Sequence, residues 1–325
     1  MNKEIVNPNL VKENTLQEEL LSIDKNYFSK IINLTQNFAE IEYRPNEYMV
    51  VTGFPRARFY FVKMKNINFN FNQGELEISA KNLDNSEVVF PLHQKSNRKA
   101  SFSTDGKMLQ RVLNSLPSGE IKMSLIKREE KGAPSIINNY LQIKSDKFTA
   151  DFRAKWDILT ELKNDYLILT EKEPLFSVRS SDFLKACQKV VFAGYEEKDF
   201  YKNPDRTRFS VRFQMEKNEL LLAGTDGYRL SIKKIEGIEN NGQDLSFNVP
   251  KHTMIGLMKF LEGSKKNLNH SLKVIIDGAK GNVFFSHPEF RMKTPLINIK
   301  SNQGKNAITI KFATINTIAK IYARL

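Results

Sequence analysis

Apolar residues along this chain recur with two periods. Leu109, Val112, Leu113 and Leu116 fall at helical spacing, as do Met254, Leu257, Met258 and Leu261, and Phe183, Ala186, Cys187, Val190 and Val191. Other stretches alternate residue by residue. Ile67 to Phe71 and Leu76 to Ala80 flank Asn72-Gln73-Gly74, a hairpin signal. Phe209 to Phe213 and Leu220 to Ala223 flank Glu216-Lys217-Asn218, and Arg229 to Ile235 predicts a third strand. Leu272 to Ile276, Val283 to Ser286 and Phe290 to Lys293 predict a later meander. Leu116-Pro117-Ser118-Gly119 and Leu261-Glu262-Gly263-Ser264 stop two of the helices with turn residues. Ser181 or Asp182 is placed to cap the helix that carries Phe183.

These elements repeat. The segment Leu21 to Ile31 resembles Phe176 to Ala186, pairing Ser22 with Ser177, Phe28 with Phe183 and Lys30 with Lys185. Ser101-Phe102-Ser103 and its helix recur 145 residues later as Ser246-Phe247-Asn248 and its helix, with all four apolar positions in register. Each unit reads as strand, helix, then about three strands, and two units make one domain's worth of chain. The expected organisation is a polar, loosely ordered arm at 1–20, a domain at 21–173, a second at 174–300, and an incomplete third at 301–325. In that last segment Ile308-Thr309-Ile310 followed by Ile315, Ile318, Ala319 and Tyr322 repeats the strand-helix opening. Arg128 to Ile136 reads as a linker-like insertion, Lys127 to Gly132 as a solvated loop, and Gln17 to Leu21 as a helix-forming part of the arm.

Length and composition narrow the function. The chain has 325 residues, enough for two domains. No apolar run is long enough for a membrane span, the first twelve residues do not form a secretory signal, and the expected address is the cytoplasm. One cysteine excludes a disulfide framework, and four scattered histidines lack metalloprotease spacing. No nucleotide loop or nucleophile elbow is present, so neither a cofactor nor a metal is expected, and an enzyme is the weakest reading. Cys187 sits on an apolar helix face and reads as a buried thiol. Thr104-Asp105-Gly106 reads as a helix cap. Fifty Lys+Arg against 37 Asp+Glu leave a net charge of +13. A polyanionic partner, nucleic acid above all, explains that excess; so does a Lys-, Asn- and Ile-rich composition.

The sharpest local string is Ala223-Gly224-Thr225-Asp226-Gly227-Tyr228-Arg229-Leu230. With the opening Phe176 to Ala193 and the segment Phe247-Asn248-Val249-Pro250-Lys251, it resembles the bacterial beta sliding clamp family, over about residues 20–300. The resemblance implies an α+β DNA-clamp fold: two tandem clamp domains, each of two strand-helix-three-strand units, with helices on one face and antiparallel sheets on the other, plus a partial third-domain start. It implies a non-catalytic processivity factor that encircles duplex DNA as a homo-oligomeric ring and tethers a replicative polymerase. Polymerase and clamp loader would dock through short peptide motifs. The alternative is a clamp-derived module that closes no ring and modulates replication by binding clamp partners.

Carried onto this chain, the family's peptide cleft would use Thr225, Gly227, Tyr228, Arg229 and Leu230. From sequence physics alone the same string is a turn between two strands, with Leu230 in the core. For the DNA face, helical spacing sets cations opposite the apolar stripes. Lys185 and Lys189 lie opposite Phe183 and Val190, and Lys107 and Arg111 opposite Leu109 and Leu113. Lys30 lies off the Phe28/Ile31 stripe and Lys259 off the Met254/Met258 stripe. A solvated helix face is the competing explanation for each.

Overall fold

A computed structural model of the protein describes residues 16–39, 66–72, 75–82, 86–92, 100–130, 133–146, 148–156, 166, 168–194, 210–216, 218–240, 245–264 and 268–297. The third-domain start at 301–325 and the arm's residues 1–15 lie outside these.

The first half runs β1 (Leu16–Asp24), α1 (Lys25–Ala39), β2 (Asn66–Asn72), β3 (Glu75–Lys81), β4 (Glu87–Leu92), β5 (Ala100–Asp105), α2 (Gly106–Ser115), β6 (Glu120–Glu130), β7 (Ala133–Ser145) and β8 (Phe148–Trp156). A short helix, α3 (Ile168–Glu171), precedes the second half. That half runs β9 (Phe176–Arg179), α4 (Ser180–Val190), β10 (Ser210–Glu216), β11 (Glu219–Thr225), β12 (Leu230–Glu236), β13 (Glu239–Asn240), β14 (Leu245–Pro250), α5 (Lys251–Gly263), β15 (Ser271–Asp277), β16 (Asn282–His287) and β17 (Phe290–Pro295). Strand, helix and three strands thus occur four times, with β13 added to the third unit.

The units interlock through their first strands. β1 pairs with β6 of the second unit and β5 with β2 of the first. β9 pairs with β15 of the fourth unit and β14 with β10 of the third. Neither unit of a half can leave without tearing a sheet ladder from the other, which makes each half one body. The predicted hairpins are in place, Asn72 opposite Glu75 and Glu216 opposite Glu219. The apolar periods explain the core. Phe69 stacks on Phe102 at 5.1 Å in the first half, and Phe213 on Phe247 at 4.8 Å in the second, all buried.

The two halves join twice. β4 pairs antiparallel with β17, setting Glu87 opposite Lys293, which makes one sheet of β1-β6-β7-β8-β5-β2-β3-β4-β17-β16-β15-β9-β13. The other sheet is β12-β11-β10-β14. Lys293 Nζ lies 3.7 Å from Glu87 and Arg291 3.8 Å from Glu77 across this seam. Beneath it the buried hydroxyls of Ser86, Thr253 and Thr294 satisfy one another at 2.7 to 3.3 Å. The second join is α1 against α5, where Phe38 packs on Phe260 at 5.6 Å. A Cβ on Gly256 would lie 2.8 Å from the Phe38 ring, so only glycine lets these helices approach so closely.

Several sequence expectations are corrected. Gln17 to Leu21 is strand, not helix: β1 zips onto β6 from Leu16 to Asp24, with an irregularity between Glu19 and Leu21, and buries Leu20, Leu21 and Ile23. Helix-favouring Gln and Glu yield to that pairing. Strand therefore also replaces loose order in the last five residues of the arm. Arg128 to Ile136 is no linker, and Lys127 to Gly132 is mostly not loop. β6 and β7 continue pairing through Glu129 opposite Ile137 and Glu130 opposite Ala133. Ser181 and Asp182 do not cap α4, which begins one residue before them at Ser180. Its first amides donate instead to backbone, Ser180 to His270 O and Ser181 to Leu268 O, both at 3.0 Å. Asp105 does cap α2, accepting from Met108 N at 3.0 Å. Cys187 is fully buried, and burial pushes its thiol up, away from reactivity.

Candidate functional site

Two surfaces gather the sequence-nominated residues. The first is a row of helices. α2 packs on α1, α1 on α5 and α5 on α4, so the row runs α2-α1-α5-α4 across both halves. Ser29 Oγ donates to Asn114 between α1 and α2, and Gln188 to Glu262 between α4 and α5. The apolar stripes hold the helices down: Phe28, Ile32, Leu109, Leu113, Phe183, Cys187, Leu257 and Leu261 are all buried. The opposite side is exposed at Lys107, Arg111, Lys185, Lys189 and Lys259, and Lys30 keeps 41% of its side chain in solvent.

Charge is sorted between helices and strands. The four long helices carry eight Lys/Arg against two acidic residues, Asp182 and Glu262. The strands carry fourteen against sixteen. A merely Lys-rich composition would not separate the two classes. Solvated helix faces alone would not need to share one row. Lys251 is the partial exception on the row, donating its ammonium to Gly194 O at 2.8 Å.

The second surface is the turn between β11 and β12. Asp226 organises it. Its Oδ1 accepts from the amides of Tyr228 and Arg229 at 3.0 and 2.9 Å, and its Oδ2 from Arg229 Nε at 2.8 Å. Thr225 Oγ1 donates to Arg229 O and accepts from Gly227 N, at 2.8 and 3.0 Å. Gly227 bends at φ 89°, a conformation that L side chains rarely adopt. Thr225 and Gly227 thus build the turn. Tyr228 stands 94% exposed and Leu230 43%, so Leu230 is not the core residue a bare turn would have. Arg229 folds back until its guanidinium lies 5.7 Å over the Phe192 ring.

Phe192 is the residue the sequence reading missed. It lies on the 3-10 turn Val191–Ala193 after α4 and is 56% exposed. Its signal was available: it follows the α4 stripe but falls off it, an aromatic with no buried place. The turn is tied to the cationic row, because Ser231 Oγ on β12 donates to Lys189 O at the end of α4.

The Arg229 N–H foremost, then the Tyr228 N–H and the Arg229 guanidinium, hold the Asp226 carboxyl below the usual carboxylate range. A carboxyl lowered in the folded state contributes stability that is full above its unfolded value and lost as pH falls through its folded value. Acidification below the ordinary Asp range should therefore loosen this turn. The protection of the Tyr228 and Arg229 amides relative to their intrinsic exchange rate, measured against pH, checks it, and protection no greater at pH 7 than at the acid end would refute it.

Comparison with known proteins meets this geometry. Residues 178–321 match the family described as DNA polymerase III beta subunit, central domain, a span that includes α4, Phe192 and the whole β11–β12 turn. Over that span the chain is similar to the beta sliding clamp family. The beta sliding clamp of Mycoplasma capricolum subsp. capricolum is 25% identical over an alignment of 215 residues, covering 57% of this chain and 56% of that protein. The chain therefore spans about half the length of the curated relative it matches. Among solved structures, the DNA polymerase III beta subunit of Thermotoga maritima superposes with a TM-score of 0.63 at 18% identity, covering 86% of this chain and 65% of that one. The sliding clamp of Pseudomonas aeruginosa bound to griselimycin gives 0.62 at 14% identity, covering 89% and 66%. The α+β clamp fold is therefore shared: helices form one row and antiparallel strands the sheets. Among the described residues no helix is long and apolar enough to cross a membrane.

Proposed function

We propose that this chain is a non-catalytic sliding-clamp subunit that encircles duplex DNA and tethers a replicative polymerase. Residues 21–173 and 174–300 act as its two clamp domains, and 301–325 belong to a third. The observation that carries the reading is the sorting of charge onto one row of helices. Phosphates carry no sequence information, so cations facing them grip any duplex equally and let it slide. Retention then comes from topology, and a tethered polymerase gains effective concentration at the primer end. The decisive experiment loads the protein on nicked circular DNA and then cuts the circle. Retention before the cut and loss after it is the expected result; equal dissociation from both forms would refute encirclement.

A ring needs partners at its open edges. β12 ends its sheet, and residues 148–154 of β8 pair on one side only among the described residues. β8 and β12 are the third strands after the helix in units two and three, equivalent to β4 and β17, which do pair with each other. A homo-oligomer that closes through such edges supports the ring; a monomer by gel filtration with light scattering favours the second reading, a module that binds clamp partners without closing.

The β11–β12 turn and Phe192 serve as the docking surface for short peptide motifs of polymerase and clamp loader. Leu230 and Phe192 offer apolar area, Tyr228 an aromatic ring and Arg229 its aliphatic stem. Leu230→Asp should weaken a fluorescent clamp-binding peptide by at least ~10-fold, about 1.4 kcal/mol, while leaving duplex binding unchanged. An unaltered peptide affinity would contradict this assignment.

A further inference from the structure

Of the six cations nominated on the helix row, Lys30 alone has an acidic partner among the described residues. Its Nζ lies 4.0 Å from Glu289 Oε2. The pair joins the halves, since Lys30 is on α1 and Glu289 is in the turn between β16 and β17. Glu289 is positioned rather than loose. Ser264 Oγ donates to the same carboxylate oxygen, and the Glu289 amide donates to His287 Nδ1 at 3.3 Å. His287 is itself buried and stacked on Phe290 at 5.0 Å.

That place is electrostatically awkward for an anion. Ser264 is the residue at which α5 ends, with its amide donating to Phe260 O and Leu261 O. A helix C-terminus carries partial negative charge and disfavours a carboxylate. The anion also reaches Tyr27 on α1, whose phenol is raised by burial first and by Glu289 second. A fixed negative charge thus sits beside Lys30, one of the cations of the row.

We propose that Glu289 competes with DNA phosphate for Lys30 and so limits how firmly the helix row grips duplex. The inference rests on the duplex-binding reading above. The pair is part-exposed, so its own contribution to stability is small. Its reach toward a phosphate is longer. The Lys30 charge, once freed to stand ~7 Å from a phosphate in water, is worth about threefold in affinity. A cation held by a protein anion is available to the duplex only part of the time, which suits contacts that must break as the DNA moves.

Glu289→Gln removes the charge and keeps an oxygen for Ser264 Oγ. With the full chain and a linear 30-bp duplex, this variant should bind about threefold tighter at low salt. Its plot of log affinity against log salt should steepen by up to ~0.9, the increment for one more neutralised phosphate. In a Lys30→Ala background the same change should give no gain, because the group it liberates is absent. Equal affinity and slope for Glu289→Gln and wild type would overturn the proposal, leaving the pair a tie between the halves. A gain that persists without Lys30 would overturn it too, in favour of simple repulsion of DNA by Glu289. Should wild type itself show no salt-dependent duplex binding, the duplex reading falls and this inference with it. That failure is recognisable from the wild-type titration alone.

Discussion

Replacing Lys107, Arg111, Lys185 and Lys189 together by alanine should lower duplex affinity at least ~100-fold at 50 mM salt. These four side chains are exposed on α2 and α4, the outer helices of the row, and have no acidic partner among the described residues. Each phosphate left without its cation should flatten the slope of log affinity against log salt by about 0.9, so the four together approach 3.6. The loss should be the same for duplexes of any sequence, since phosphate contacts position and do not specify. Alanine suits exposed helix positions, so the fold should survive with an unfolding free energy within ~1 kcal/mol of wild type. Filter binding across a salt series, with thermal unfolding as the control, reads both. A variant that folds and still binds with the wild-type slope would remove the DNA role from this row.

The seam between the halves should be as sensitive as the row is tolerant. Glu87 is almost wholly buried, with 5% of its side chain exposed, and Lys293 beside it with 13%. Lys293→Met keeps the length and apolar stem but leaves the carboxylate without its close cation. Removing one partner of a buried pair strands the other charge, a loss of about 3 kcal/mol. Lys81 at 4.0 Å is mostly solvated and can offset little of it. The double variant Lys293→Met with Glu87→Gln should recover much of that loss, because no charge is then stranded. Urea unfolding of the three proteins measures this. Equal midpoints for wild type and Lys293→Met would show that the seam does not depend on this pair. Recovery in the double variant would locate the effect in charge rather than in packing.

Legibility differed by kind of feature. The four units were readable because each buries one face, and a buried face imposes period 3.6 or period 2 on the chain. The 145-residue register between Leu109 and Met254 is of that kind, and both residues are fully buried. Cations opposite those stripes were readable for the same reason. Gln17 to Leu21 was misread because its composition favours helix, whereas its conformation is set by β6, about a hundred residues away. The same holds for Arg128 to Glu130, polar residues that look like loop until Ala133 and Ile137 pair with them. The start of α4 escaped because its first amides are satisfied by the carbonyls of Leu268 and His270, far along the chain.

In the candidate site, Thr225 to Leu230 could be nominated as a string, but the division of labour within it could not. Asp226 builds the turn, and Phe192 enters only because Arg229 folds onto it from 37 residues away. Glu289 had no local signal at all. Its meaning comes from Lys30 and Ser264, which other segments bring to it.

Sequence alone therefore determined the number and kind of units, the apolar faces and the sign of charge on each helix. These follow from solvent exclusion acting on neighbours a few residues apart. Tertiary structure decided that four helices share one row, that β4 meets β17, and which cation keeps an acidic partner. Those depend on contacts between residues tens to hundreds of positions apart, and no local period records them.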